Sequence, residues 1–240
     1  LFGGMFRKPK YVSQIIINAI PIILTGLSVS FAFKTGLFNI GAEGQYIMGT
    51  VTAAMLGYYL SLPGIIHPAV ILVAAFLVGG LFGALAGWLK ARFGVHEVIS
   101  TIMLNWIALY FNNFILSLPG VKKTGTQASN EVLETARLTF MGAWKKSDAG
   151  KDFIRNNPIW GDFMRTDVHW GILISIVVVI VAWYFLNRTT KGFELRAVGF
   201  NQYAAEFAGI NVKKNTIIAM FIAGGLDSPG RVHPALHIGG

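Results

Sequence analysis

The chain has 240 residues, of which 54% are hydrophobic and only 13% are charged. This balance lies well outside that of soluble domains and predicts a membrane protein. The net charge of +9 suits loops beside anionic lipid headgroups, and no interleaving of basic and aromatic residues indicates a nucleic-acid partner. Because the chain has no cysteine, disulfides and thiolate metal sites are excluded.

Apolar runs long enough to cross a bilayer recur along the chain, since a membrane-spanning helix needs about 20 such residues. The charge-free run over 44–89 has to fold back once, and "SLPGIIHP" (61–68) supplies the turn. We therefore predict an all-α, polytopic membrane protein with five to six transmembrane helices. The predicted spans are 12–33, 44–61, 68–89, 97–118 and 169–187, with a sixth that begins near 213.

The first span is followed by "GLFNIGAEGQ" (36–45), whose glycines allow the backbone to break. Irregular backbone at membrane depth is tolerated where it lines a cavity. We therefore predict that Asn39, Glu43 and Gln45 line a substrate path, where the amides would read hydroxyls or a base edge. The alternative is that Glu43 only pairs with Lys34 or Lys90 at the membrane interface.

Small residues and amides mark the next two spans. Glycines recur every four residues in "GGLFGALAG" and predict close packing against a neighbouring helix: Gly79, Gly83 and Gly87. The fourth span carries Asn105, Asn112 and Asn113, for which interhelical hydrogen bonding and a polar pathway are both open. Asn105 joins the substrate-path candidates.

Residues 119–168 form an insertion that mixes charges and has no long apolar run, so we expect it to lie outside the membrane. A solvated loop and a partner-docking surface are the two interpretations of this insertion.

A short helix is predicted between the fifth and sixth spans, in "ELRAVGFNQYAAEFAGINVKK" (194–214). Asn201 is a suitable N-cap and Gly209 a suitable C-terminal residue, and the residues between them make about two turns. Apolar residues then share one face, which favours docking into a groove on another protein: Tyr203, Ala204, Phe207 and Ala208. The alternative is a helix that lies on the lipid surface.

Three ordered motifs, "GLFNIGAEGQYIMG", "HEVISTIMLNWIA" and "LRAVGFNQYAAEFAGI", resemble the permease subunits of bacterial ABC importers of the branched-chain amino acid and simple sugar group. The resemblance is strongest to the nucleoside-type branch. It implies a multi-pass protein of the bacterial inner membrane that forms the translocation path for nucleosides or simple sugars. The implied partners are an ABC ATPase, a second homologous permease subunit and an extracytoplasmic substrate-binding lipoprotein.

In that family the third motif is the cytoplasmic coupling helix that contacts the ATPase. The resemblance therefore places 188–212 in the cytoplasm and the insertion outside, and it makes 200–210 the coupling helix. It implies ATPase-coupling roles for nine residues: Arg196, Gly199, Asn201, Tyr203, Ala204, Ala205, Phe207, Ala208 and Gly209.

No enzymatic chemistry is expected in the chain itself. It has no G-x-x-x-x-G-K-[ST] loop, so ATP has to bind on a partner chain, and no cofactor is implied. His233 and His237 have ligand-like spacing but lie beside prolines, and we predict no metal site. The alternative function is an ion-coupled secondary transporter or channel, which favours carboxylates at mid-helix, and the predicted spans carry none.

The chain departs from the family pattern at Asp227, where it reads "DSPGRVHPALHIGG" and where family members continue with further spans. The apolar run over 215–226 is 12 residues long, too short to cross a bilayer. We therefore expect one incomplete permease domain over 1–226 and an aberrant tail over 227–240, from truncation or a frameshift.

Overall fold

The structure is a computed structural model that describes residues 9–63, 66–121, 129–130, 133–136, 147–157 and 170–228. Within these ranges the regular structure is helical, without a β-strand, which confirms the predicted all-α class. The helices are α1 (Pro9–Lys34), α2 (Ala42–Tyr59), α3 (Ile66–Phe93), α4 (Glu97–Ser117), α5 (Asp148–Asn156), α6 (Gly171–Arg188), α7 (Thr190–Phe200), α8 (Gln202–Phe207) and α9 (Val212–Asp227), with a 3-10 turn at Glu134–Ala136.

Four of the described helices, α1, α3, α4 and α6, are long and apolar enough to cross a membrane. Their bounds agree with four of the predicted spans to within a few residues. The predicted second span corresponds to α2, which has 18 residues and packs against α3 and α4. The chain is therefore a multi-pass membrane protein.

Helix α9 forms the centre of the described bundle, since it packs mainly against α3 and α1. Met220 and Ala223 are completely buried and belong to one apolar cluster with Phe31 of α1 and Ala86 of α3. At 16 residues the helix is about 24 Å long, shorter than the roughly 30 Å hydrocarbon core. The predicted sixth element is thus present as a buried helix.

The predicted tail begins inside α9. Asp227 is the last residue of that helix, is fully buried, and accepts a hydrogen bond from the Thr25 hydroxyl. Asp227 is therefore part of α9. Residues 229–240, with His233 and His237, lie outside the described residues.

The glycine stripe of α3 lies against α9. A Cβ added to Gly87 would lie 3.0 Å from the Met220 Cβ and 3.1 Å from the Ile217 Cα. A Cβ on Gly83 would collide with the Met220 carbonyl oxygen, and one on Gly79 would collide with the Ser228 hydroxyl. At Gly83 and Gly87 the backbones of α3 and α9 approach this closely because glycine contributes no side chain between them.

The connections divide between two ends of the bundle. At one end, the α1–α2 loop packs against α7, and Lys90 near the end of α3 pairs with Glu97 at the start of α4. At the other end, the His67 ring lies 2.9 Å from the Thr135 hydroxyl of the 3-10 turn. The described part of the insertion that contacts the bundle therefore lies at the end opposite the α6–α9 connection.

Candidate functional site

A buried amide of the α1–α2 loop, Asn39, binds a buried amide in the first turn of α2, Gln45. Asn39 Nδ2 donates to Gln45 Oε1 at 2.9 Å, and Gln45 Nε2 donates to Asn39 Oδ1 at 3.2 Å. Asn39 also donates to the Ser28 hydroxyl at 3.3 Å and accepts from the Gly41 amide at 3.0 Å. The two side chains are only 2% and 1% exposed, so their hydrogen bonds fix the start of α2.

Asn105 of α4 holds the same loop from the other side. Its Oδ1 accepts from the Gly44 amide at 2.9 Å, and its Nδ2 donates to the Ile40 carbonyl at 3.0 Å. These are contacts between elements, as one of the two interpretations of the amides in α4 predicted. Asn112 and Asn113 each keep a buried Oδ1 without a hydrogen bond among the described residues.

Glu43 is exposed at the first turn of α2 and makes no ion pair within the described ranges. Lys90, one of its two suggested partners, instead binds Glu97 at 2.6 Å. The Glu97 side chain is also 3.4 Å from the Phe38 amide, which donates to its Oε1. The structure therefore offers no support for an interfacial pair of Glu43, and its substrate-path role remains a prediction.

The connection between α6 and α8 is itself helical, which the sequence interpretation missed. The Thr189 hydroxyl caps α7 by accepting from the Gly192 amide at 3.0 Å. At the other end of α7, Gly199 lies against Gly36, so that a Cβ on Gly36 would be 2.7 Å from the Gly199 Cα. The segment that contains the predicted coupling residues thus contacts the loop that contains Asn39.

Helix α8 has the two ends that the sequence predicts. The Asn201 side chain accepts from the Ala204 amide at 3.0 Å, which confirms the N-cap. Gly209 has a φ of 81°, its amide donates to the Glu206 carbonyl, and the Ile210 amide donates to the Ala205 carbonyl. This pair of bonds is the Schellman arrangement that ends helices at glycine.

The outer side of α7 and α8 is aromatic. Phe200, Tyr203 and Phe207 are 88%, 86% and 97% exposed, and Ala204 and Ala208 are exposed beside them. Ala205 is only 4% exposed, so it packs into its own chain. The helix therefore turns Ala205 inward, and the implied coupling role of this residue stays a prediction.

A salt bridge and a hydrogen bond secure α7 to itself and to α9. Glu194 Oε2 accepts from Lys191 Nζ at 2.7 Å and from Asn215 Nδ2 at 3.2 Å. The hydrogen bond from Lys191 holds the pKa of Glu194 below its ordinary value. Asn211 caps α9 by accepting from the Lys214 amide at 2.9 Å. The exposed aromatic side chains are thus carried by a firmly connected segment.

The profile of the family described as the branched-chain amino acid transport system / permease component matches residues 11–226. The chain belongs to this family. It is 41% identical over 224 residues to the guanosine ABC transporter permease protein NupP of Bacillus subtilis, covering 93% of this chain and 59% of that protein. No solved structure matches the chain significantly.

Two further relatives of this permease-family chain differ in the solute that their names give. The nucleoside ABC transporter permease protein NupB of Lactococcus lactis is 32% identical, over 97% of this chain and 61% of NupB. The glucose ABC transporter permease protein TsgB13 of Haloferax volcanii is 29% identical, over 89% of this chain and 53% of TsgB13. The chain thus spans little more than half the length of these curated relatives.

The sequence analysis also did not predict the role of Glu97, which pairs with Lys90 and accepts a hydrogen bond from the Phe38 amide. Its signal was present, because Lys90 and Glu97 are opposite charges on either side of a short turn between two spans. Among the described residues, no group of three histidines or carboxylates could hold a metal ion.

Proposed function

We propose that the chain is the membrane-spanning permease part of an ABC importer for nucleosides, with simple sugars as the second substrate class. Family membership over 11–226 supports the permease role. The names of NupP and NupB favour nucleosides as the substrate, and the name of TsgB13, a glucose permease, supports sugars as the second substrate class. On this proposal the chain hydrolyses no ATP itself.

The observation that carries the proposal is the exposed aromatic surface of Phe200, Tyr203 and Phe207 on a capped helix between two membrane segments. Large apolar side chains exposed to this degree favour a protein partner over water. An ABC ATPase would bind there, with Ala204 and Ala208 between the rings. A second permease subunit and an extracytoplasmic substrate-binding lipoprotein would complete the importer.

Coupling would pass through the contact of Gly199 with Gly36. A displacement of α7 by the ATPase would press on the α1–α2 loop, because no side chain separates the two backbones. The loop holds Asn39, which is hydrogen-bonded to Gln45 at the start of α2, and the two amides can exchange their mutual hydrogen bonds for those of a hydroxyl or a base edge. Glu43 and Asn105 would lie beside this path.

Uptake by cells with and without the gene tests the function. We expect deletion of the gene to abolish uptake of radiolabelled guanosine and to leave the uptake of other solutes through ion-gradient-driven transporters unchanged. In cells that carry the gene, depletion of ATP should stop guanosine uptake, whereas a protonophore at constant ATP should not. Normal uptake of nucleosides and of glucose in the deletion strain would contradict the proposal, and gradient-driven uptake would favour an ion-coupled transporter.

Orientation in the bacterial inner membrane is tested by labelling, for which the lack of native cysteine is convenient. We propose that α7 and α8 are cytoplasmic and the insertion is outside. Asp152→Cys should then react with an impermeant maleimide in intact spheroplasts, and Gln202→Cys only after lysis. The reverse pattern would invert the topology and remove α8 from the ATPase side.

A further inference from the structure

A largely apolar groove of about 210 Å³ lies between α1 and α6, and Arg196 of α7 also lines it. Leu27 and Phe31 of α1 and Ala182 and Leu186 of α6 form its walls. Two cations are among the residues that line the groove, Lys34 at the C-terminal end of α1 and Arg196 of α7. The groove is therefore apolar toward the membrane interior and cationic at the membrane boundary.

The two cations at this end have no anionic partner among the described residues. Neither Lys34 nor Arg196 makes an ion pair there, and no carboxylate lines the groove. Arg196 Nε is buried and donates no hydrogen bond to the part of the chain described. A buried donor without an acceptor is costly, so an anion that reaches this position would satisfy it.

We propose that this groove binds one anionic phospholipid, with its phosphate between Lys34 and Arg196 and one acyl chain along Leu27 and Leu186. Basic pockets between membrane helices at the cytoplasmic boundary recognise anionic headgroups in this way. Trp183, which is 56% exposed and also lines the groove, is suited to the headgroup region. A lipid supplies both the charge and the apolar chain that the groove accepts.

Lipid retention by the purified chain in detergent, measured by native mass spectrometry, tests the charged end. The probes are phosphatidylglycerol and phosphatidylcholine with identical acyl chains. We expect one phosphatidylglycerol to remain bound, and Lys34→Gln with Arg196→Gln to reduce its retention about tenfold or more. Equal retention of phosphatidylcholine would overturn the proposal.

A matched control separates a site from diffuse attraction. Lys213→Gln with Lys214→Gln removes the same charge from exposed residues outside the groove, where the chain enters α9. This pair should leave retention unchanged, and an equal loss would overturn the proposal. Lys34→Arg with Arg196→Lys keeps both charges and should retain the lipid, so a folding defect of the glutamine variants is distinguishable.

The apolar part has its own test in Ser30→Phe, which fills the groove beside Phe31 and leaves both cations in place. Retention of phosphatidylglycerol should fall if an acyl chain occupies the groove. Inorganic phosphate at millimolar concentration should not displace the lipid. Unchanged retention in Ser30→Phe, or displacement by phosphate, would show that only an anion binds and would refute the lipid site.

Discussion

Gly36 and Gly199 touch through their backbones: a Cβ on Gly36 would lie 2.7 Å from the Gly199 Cα, and a Cβ on Gly199 would lie 2.7 Å from the Thr35 carbonyl carbon. Gly36 also has a φ of 72°, a conformation that favours glycine. Gly36 therefore has to be glycine for two reasons, its positive φ and its close contact with Gly199. It lies three residues before Asn39, one of the two buried amides.

Gly36→Ala should destabilise the chain more than Gly94→Ala does. Gly94 has a φ of 70°, but an added Cβ there meets nothing within 4 Å. Its replacement by alanine therefore costs only the strain of a left-handed backbone conformation, about 1 kcal/mol. Gly36→Ala adds a collision worth roughly 1–3 kcal/mol. Thermal unfolding in detergent measures both variants, and equal shifts in Tm would show that the contact has no energetic weight.

The amide pair should behave as a coupled unit. Asn39→Leu or Gln45→Leu leaves one buried amide without its partner and should cost about 1–3 kcal/mol. The double variant removes both amides, so its loss should be smaller than the sum of the single losses by about 1 kcal/mol or more. Additive losses in chemical unfolding would indicate that the two side chains are stabilised independently.

The approach of α3 to α9 should tolerate no methyl group at Gly83. Gly83→Ala places a Cβ against the Met220 carbonyl and should lower stability by roughly 1–3 kcal/mol. Gly26→Ala is the control, because Gly26 lies in α1 and an added Cβ there meets nothing within 4 Å. That variant should be neutral or gain up to about 1 kcal/mol. A neutral Gly83→Ala would contradict the close approach.

Periodicity and capping predicted most of the fold, since apolar length determines the spans and Asn201 and Gly209 determine the ends of α8 by local geometry. The direction in which α8 faces was not predictable. Ala205 looks identical to Ala204 and Ala208 in the sequence, and only the packing of α7 and α9 around α8 turns it inward.

The polar loop shows the same limit. Residue types predicted polar chemistry at Asn39 and Gln45, but pairing between them requires the loop to bring two side chains six residues apart into contact. Lys90 was equally available to Glu43 and to Glu97 by charge, and the turn between α3 and α4 decided the partner. Tertiary geometry of this kind leaves no local pattern.

Glu43→Gln tests the substrate path without disturbing the bundle. The carboxylate is exposed and makes no ion pair within the described ranges, so the unfolding midpoint should not change. Nucleoside uptake should fall several-fold if Glu43 lies on the path, since the charge is removed while the shape is kept. Normal uptake at normal expression would show that Glu43 is not on the path. Asp148→Asn in the insertion is the control, because it also removes an exposed negative charge.

Phe207→Arg should separate docking from folding at α8. Phe207 is 97% exposed, so the arginine is hydrated in the isolated chain and the unfolding midpoint should stay unchanged. In the assembled importer the guanidinium would be buried against the ATPase, and an unpaired buried charge costs several kcal/mol. Substrate-stimulated ATP hydrolysis should therefore be lost, whereas stimulation at the level of the unaltered protein would refute a docking role for this face.

Ala205→Arg is the contrasting variant on the same helix. Because Ala205 is 4% exposed, a guanidinium there has to displace its own chain's packing, and the variant should lower the unfolding midpoint before any partner is added. Loss of ATP hydrolysis in this variant alone would consequently say nothing about docking. An Ala205→Arg chain with an unchanged midpoint would mean that α8 faces outward at Ala205, and the docking surface would then have to be redrawn around that residue.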